Sequence, residues 1–204
     1  METDLLPHPG RGRPREFCVD QALGAALRVF WQRGYEGASL SELTEAMGIT
    51  RPSLYAAFGN KESLFRKALD LYEREKLSYI QQALAAPTAR EVADRLIRGA
   101  LDKQGEGDEP KGCLSVVASL ACAPQGEALR KEVVARRAAI DAAILARFER
   151  AKAEGDIPEG IESIGLARML GAFIQGLMVQ ASSDVPREQL CAASATLKAI
   201  WPSR

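Results

Sequence analysis

Arginine and hydroxyl side chains stand close together in one short segment, residues 50–55, which reads Thr-Arg-Pro-Ser-Leu-Tyr. Guanidinium and hydroxyl groups hydrogen-bond to the base edges and phosphate oxygens of nucleic acids. A short helix with such groups in its first turn suits insertion into the major groove of DNA. Amphipathic helices joined by a glycine turn also occur in proteins that bind no DNA, so the pattern alone leaves an ordinary αα-hairpin open.

Two short predicted helices position this segment. Ser39 opens an S-x-x-E capping box at the start of the first helix, and Gly48 ends that helix. Thr50 is the predicted N-cap of the second helix, over 51–57, where Pro52 is tolerated because it falls in the first turn. The pair has the layout of a helix-turn-helix.

Apolar spacing predicts the helices around this pair. One helix is predicted over 19–33 and stops at Gly34, and another over about 60–81 connects the head to the rest of the chain. The side chains expected to face the interior of the head are Leu43, Ala46, Ile49, Leu54 and Phe58.

Helical spacing continues beyond residue 82, and no stretch alternates as a strand would. The predicted fold is all-α, with a three-helix head followed by a larger helical bundle. We expect a flexible basic arm over 1–15, the head over 16–62 and the bundle over 63–204.

Composition excludes several classes of function. The chain carries 27 Lys and Arg against 27 Asp and Glu, so it has no polybasic coat. The single histidine, His8, lies in the arm, so we expect no catalytic residue. Widely spaced cysteines without a C-x-x-C pair indicate free thiols rather than a metal site: Cys18, Cys113, Cys122 and Cys191. With no secretory signal and no apolar stretch long enough for a bilayer, we expect a cytoplasmic protein without membrane contact or cofactor.

Residues 17–65 resemble the DNA-binding head of the TetR family of transcriptional regulators. The matching positions are Ala-Leu-x-x-Phe-x-x-x-Gly-Tyr from Ala26 to Tyr35, Ser39-Leu40, Met47-Gly48-Ile49, Ser53-Leu54-Tyr55 and Phe58-x-Asn60-Lys61-Glu62-x-Leu64-Phe65. The resemblance implies a helix-turn-helix head, a ligand-binding and dimerisation bundle, and a homodimer on a palindromic double-stranded DNA operator. It also implies repression that a small-molecule effector relieves.

The resemblance also implies which residues touch DNA. The recognition helix would present Thr50, Arg51, Pro52, Ser53 and Tyr55. Arg51 would read a guanine. Ser39 and Lys61 would contact phosphates at two helix starts, and Arg11 and Arg13 resemble an arm that some members lay along the minor groove.

Apolar faces in the bundle predict a ligand pocket, although for any single residue ordinary core packing is the commoner explanation. The predicted lining is Leu96, Ile97, Ala100, Cys113, Val117, Leu120, Ile140, Ile144, Met169 and Phe173. A lining with few polar groups would favour a hydrophobic or aromatic effector.

The predicted helix over 162–181 is apolar on more than one face, which predicts contact with a second copy of the chain. Small residues on one stripe of it, together with the last helix, form the predicted dimer interface: Gly165, Ala172, Gly176, Leu190, Leu197 and Trp201. Packing within one chain is the alternative.

Two other functions stay open. Cys113 opens a predicted helix, a position that favours reactive thiols, so a thiol- or copper-responsive repressor of the same fold is one alternative. A helical enzyme that uses the pocket for turnover is the other. It is disfavoured because no nucleophile with a base can be assembled within residues 82–204.

Overall fold

A computed structural model describes residues 18–104, 109–120 and 126–202, without the side chains of 118–120. These residues form ten helices and no strand: α1 (Val19–Gly37), α2 (Leu40–Met47), α3 (Arg51–Phe58), α4 (Lys61–Lys76), α5 (Tyr79–Leu84), α6 (Ala89–Asp102), α7 (Leu114–Leu120), α8 (Glu127–Ala153), α9 (Ser163–Ser182) and α10 (Arg187–Ile200). The all-α class is confirmed, with α1–α3 as the head and the later helices as the bundle.

α1 is interrupted at Gly34, where the sequence predicts its end. Gly34 has φ 70° and ψ 177°, a conformation that L side chains rarely adopt, and one further turn reaches Gly37. Val117 of α7 lies against this kink, because its Cγ1 is 3.6 Å from where a Cβ on Gly34 would stand. The head therefore contacts the bundle at the kink.

Local hydrogen bonds fix the ends of α2 and α3. The Ser39 hydroxyl accepts from the Glu42 amide at 3.1 Å, and the Glu42 carboxylate accepts from the Ser39 amide at 2.9 Å. Gly48 ends α2 with φ 66°, and the Thr50 hydroxyl caps α3 by accepting from the Ser53 amide. The predicted capping box, glycine stop and N-cap are confirmed.

Large apolar side chains fill the interior of the head. Phe30, Leu54 and Phe65 are fully buried, and the rings of Phe30 and Phe65 meet edge to face with centroids 4.9 Å apart. Burying a side chain of this size stabilises a fold by about 1.5–3 kcal/mol. The prediction that Ala46 faces inward is wrong, since α2 is rotated so that Met47 is buried and Ala46 is exposed.

The helix predicted over about 60–81 is two helices. α4 ends at Lys76 and α5 begins at Tyr79, with no glycine or proline between them. Beyond the break, the ring of Tyr79 lies against Gly99 of α6, where a Cβ would collide with it. Turn residues such as glycine and proline are the usual sequence signals of a helix end. Because this segment contains neither, the sequence does not predict the break.

Ion pairs join α4 to α8. Arg136 of α8 donates to Asp70 at 2.7 Å and to Glu73 at 3.1 Å, both on α4. Arg66 of α4 donates to Glu132 of α8 at 2.7 Å. Partly exposed pairs contribute about 1 kcal/mol or less each. They nevertheless orient α4, which begins beside the head, relative to the bundle.

The head and the bundle share buried residues. Leu114 of α7 and Leu129 and Val133 of α8 belong to the same buried cluster as the head. A second cluster, between α6, α8, α9 and α10, contains Phe148 and Trp201, whose ring centroids are 5.9 Å apart. α7 and α8 therefore pack directly on the head.

α9 is unusually apolar for a helix of a globular bundle. By length and composition alone its 20 residues could cross a membrane. However, 33% of its most apolar 18-residue stretch is buried inside the protein. Leu170 and Leu177 are buried in the bundle core, whereas Ile164, Met169 and Val179 are exposed. One face of α9 therefore belongs to the core, and no described residue covers the opposite face.

Candidate nucleic-acid interface and ligand cavity

The first turn of α3 presents polar groups on the surface of the head. Arg51, Pro52 and Tyr55 are exposed, with 47% of Tyr55 accessible. Leu54 and Phe58 point the other way into the head and are buried. α3 therefore offers its outer face to a partner while its inner face holds it in place.

The hydroxyl groups at the start of α3 bind each other. Thr50 Oγ1 and Ser53 Oγ lie 2.9 Å apart, and Thr50 is exposed while Ser53 is half-buried. Arg51 extends instead towards α2, where its Nη2 donates to Ser41 Oγ at 2.7 Å. The pattern of residue types does not predict this contact, because it depends on how α2 and α3 cross.

The two predicted phosphate-contacting residues flank α3. Ser39 is exposed at the start of α2, and its amide is already engaged by Glu42. Lys61 is half-buried, with Nζ 4.5 Å from the centre of the Tyr35 ring, and burial lowers the pKa of its ammonium group. Arg11 and Arg13 lie outside the described residues.

A cavity of about 810 Å³, counting its open mouth, lies within the bundle. Five of the ten residues predicted to line a pocket are in its wall: Leu96, Ala100, Cys113, Ile140 and Ile144. The end of α4, α5 and α9 complete the wall with Tyr72, Lys76, Tyr79, Ile174 and Gln175, among others. The cavity therefore opens between α4, α5, α6, α8 and α9.

The other predicted lining residues lie elsewhere. Ile97 faces a separate depression between α6 and α10, Val117 faces α1, and Phe173 packs on the bundle core. Met169 is 42% exposed on the outer face of α9. The Leu120 side chain is outside the described part. The apolar pattern of a helix shows which side chains are buried. It does not show which of them face a cavity, because that depends on the rotation of the helix about its axis.

The cavity wall is more polar than the sequence predicts. It includes Lys103, Gln104 and Arg137 in addition to the two tyrosines. Burial, and secondarily the nearby thiol of Cys113, raise the pKa of Tyr72 and Tyr79, so both phenols are neutral donors at physiological pH. The wall can therefore hold an apolar body and also hydrogen-bond to a polar group.

The predicted dimer residues divide into two sets. Gly165 and Ala172 are exposed and Gly176 is half-buried, and a Cβ on either glycine would meet nothing within 4 Å. The predicted residues of α10 are instead buried inside the chain, where they pack on α6 and α9: Leu190, Leu197 and Trp201. The sequence prediction chose the wrong face of α10, since Cys191 and Ile200 are on its exposed side.

Comparison with known proteins now places this arrangement. Residues 22–68 match the family model described as bacterial regulatory proteins of the tetR family. The chain is 32% identical over 194 residues to the HTH-type transcriptional repressor ComR of Escherichia coli K12, covering 94% of this chain and 92% of that protein. The HTH-type transcriptional repressor BdcR of the same organism is 49% identical over 61 residues, or 30% of this chain and 31% of BdcR.

A solved structure adds the DNA. It contains a cysteine mutant of the TetR family transcriptional regulator CifR with a 26-bp double-strand operator. This chain is 43% identical to it with a TM-score of 0.85, over 93% of this chain and 100% of that one.

This chain belongs to the TetR family. It is a helix-turn-helix transcriptional regulator that binds DNA, and α2 and α3 form the helix-turn-helix. The predicted resemblance of residues 17–65 to the DNA-binding head of the TetR family is therefore confirmed.

The cysteines of this TetR-family regulator lie in different environments. Cys18 and Cys191 are exposed, and Cys122 is outside the described residues. Cys113 lies immediately before α7, where its Sγ is 3.5 Å from the Tyr72 hydroxyl and 3.0 Å from the Ser115 hydroxyl. Residues 18–104, 109–120 and 126–202 hold no cluster of three metal-ligating side chains.

Proposed function

We propose that this regulator is a homodimeric repressor that a small molecule in the bundle cavity releases from its operator. The observation that carries this proposal is the position of the cavity. Its wall includes Tyr72 and Lys76 at the end of α4 and Cys113 and Ser115 at the start of α7. Both elements also pack on the head, so a ligand there can change how the head is held.

Two contacts support the coupling. Leu114, next to the cavity residue Cys113, is fully buried in the cluster of the head, and Val117 lies against the kink at Gly34. α4 runs from the head into the cavity wall, and Arg136 pairs with its Asp70 and Glu73. A ligand that separates α4 from α7 would favour a different head orientation, and a coupling of about 1–3 kcal/mol is typical of such switches.

The proposed DNA surface consists of Thr50, Arg51, Pro52, Ser53 and Tyr55 on α3, with Ser39 and Lys61 on phosphates. Exposure of Arg51 and Tyr55 on the outer face of α3 supports it, because a partner can reach both side chains. The head is not strongly basic, so most discrimination would come from direct base contacts. Arg51 is suited to the two acceptors of a guanine.

The proposed dimer uses the uncovered face of α9. Ile164, Met169 and Val179 expose 49%, 42% and 47% of their surface there, and Gly165 and Ala172 between them allow close approach. A two-fold dimer places two α3 helices on successive turns of one DNA face. Its operator is therefore a palindrome.

The proposed effector has an apolar body and one polar group. Leu96, Ala100 and Ile144 supply the apolar wall, and Gln104 and Gln175 lie among the polar groups. We expect the regulator to act in the cytoplasm, where its DNA lies. No observation favours the copper-responsive alternative, since no group of three or more His, Cys, Asp or Glu side chains comes together among the described residues.

The cavity is tested with the aromatic fluorescent probe 8-anilinonaphthalene-1-sulfonate. We expect its emission to rise with wild-type protein and to fall strongly in Ala100→Leu, which fills the cavity, and in Gly99→Ala, which forces the Tyr79 ring to move. Gly24→Ala is the matched control, because a Cβ there would meet nothing within 4 Å. Equal probe binding by all four proteins would contradict the cavity assignment.

Release is tested on labelled operator DNA. Compounds that displace the probe should weaken operator binding by wild-type protein about 5- to 150-fold, and they should not affect the Ala100→Leu protein. A set of displacing compounds that leaves wild-type operator binding unchanged would contradict the proposed ligand response.

A further inference from the structure

The contact between Arg51 and Ser41 joins the two helices of the helix-turn-helix. Arg51 is the first residue of α3, and Ser41 is in the first turn of α2. The distance from Nη2 to Oγ is 2.7 Å, a good hydrogen bond, although both residues are exposed. The side chain of a surface arginine is usually mobile. Ser41 therefore holds the guanidinium end of Arg51 in one position.

Ser41 is the one hydrogen-bond partner of Arg51 among the described residues. The hydroxyls of Thr50 and Ser53 bind each other, and Glu42 is engaged by Ser39 in the capping box. Within the described residues no carboxylate pairs with Arg51. Its positive charge is therefore not neutralised, and its position is set by a neutral acceptor.

Ser41 stands on a rigid support. α2 has a capping box at one end and Gly48 at the other, and Leu43 is fully buried beneath it. A guanidinium group has five N–H donors, of which Ser41 uses one. The remaining donors suffice for the O6 and N7 acceptors of a guanine, and a side chain held in place loses less entropy on binding.

We propose that Ser41 is a positioning residue for base specificity: it holds the Arg51 guanidinium so that Arg51 reads one base pair. The proposal depends on the proposed function only in that Arg51 touches a base. Ser41 acts through Arg51 and need not touch DNA.

A double-mutant cycle tests this with operator DNA selected by the full-length wild-type protein. The four proteins are wild type, Ser41→Ala, Arg51→Ala and the double variant, each titrated against the operator and its single-base variants. We expect Ser41→Ala to lower discrimination at one base pair by about threefold to tenfold. Discrimination at other positions should not change. In the Arg51→Ala background the same substitution should have no effect.

Ser41→Thr is the matched control, because it keeps the hydroxyl and should keep wild-type discrimination. A uniform loss of affinity in Ser41→Ala would show a phosphate contact and overturn the proposal. So would an equal effect of Ser41→Ala in the Arg51→Ala background, or unchanged discrimination in Ser41→Ala. If Arg51→Ala itself leaves discrimination intact while DNA is bound, the assignment of Arg51 to a base fails, and that outcome is distinct from a failure of Ser41 alone.

Discussion

The helices of the helix-turn-helix and the last three helices of the bundle begin differently. Side-chain hydrogen bonds cap α2, α3 and α4, at Ser39, Thr50 and Asn60. α8, α9 and α10 begin at Gly126, Glu162 and Pro186 without such a bond. Local hydrogen bonds thus fix the helix-turn-helix, whereas packing sets the last three helices. The division does not follow the head–bundle boundary strictly, because α1 begins at Cys18 without such a bond and Thr88 caps α6.

This difference matches the pattern of similarity. The family model covers only 22–68, and the likeness to BdcR is confined to 61 residues. A head defined by local caps can keep its shape on many different bundles.

Core substitutions give the largest expected effect on stability. They also test whether operator binding depends on the core of the head rather than on that of the bundle. Leu54→Ala in the head and Leu170→Ala in the bundle each remove a fully buried side chain. Each should lower the free energy of unfolding by about 2–5 kcal/mol. Urea unfolding followed by circular dichroism measures this. Only Leu54→Ala should also weaken operator binding by protein that remains folded, and equal weakening by Leu170→Ala would break the comparison.

Arg51→Ala should have the next largest effect, on DNA binding and not on stability. Loss of a base contact from an exposed side chain should weaken operator binding by about 1–3 kcal/mol. Fluorescence anisotropy of labelled operator measures the affinity. Arg74→Ala, which removes an exposed arginine of α4 outside the proposed DNA surface, is the matched control on the same operator. Unchanged affinity in Arg51→Ala would remove the central contact of the account.

Helix caps give a smaller effect that sharpens the contrast between the regions. Ser39→Ala removes a side-chain cap and should lower the free energy of unfolding by about 1 kcal/mol. Glu162→Ala, at the start of α9, removes only an exposed ion pair with Lys152 and should change it by less than about 0.5 kcal/mol. Thermal unfolding of both variants provides the measurement, and a larger loss in Glu162→Ala would contradict the contrast.

The smallest expected effect is a pH dependence at the α4–α8 contact. Hydrogen bonds from Arg66, and then from Arg136, hold the pKa of Glu132 below its ordinary value. The ionised carboxylate therefore stabilises the fold above the unfolded pKa of about 4.3. This stability is lost as the pH falls through the lower folded pKa. Urea unfolding between pH 6 and acid conditions should show a smaller loss in Glu132→Gln than in wild type, and an identical loss would contradict the role of Glu132.

The sequence predicts the head closely because its signals are local. Local residue types predict where its helices begin and are interrupted: the caps are Ser39 and Thr50, and the glycines are Gly34 and Gly48. The same signals place Arg51 and Tyr55 outside, since Leu54 and Phe58 must face inward.

The bundle is predicted less well because its errors concern long-range packing. Nothing at Leu77 marks the break between α4 and α5, so the contribution of Tyr79 to the cavity is not predictable. Helical spacing identifies Leu190 and Leu197 as apolar without showing whether the covering surface is this chain or a second copy. The bond from Arg51 to Ser41 likewise depends on the crossing of two helices.

Selection of DNA from a random pool by the full-length wild-type protein tests the central claim most directly. The claim is that the outer face of α3 reads DNA in a two-fold dimer. The account predicts an enriched inverted repeat whose half-sites are centred about 34 Å, one helical turn, apart, with a G·C pair at the position read by Arg51. Enrichment of a direct repeat, or of no sequence at all, would contradict it.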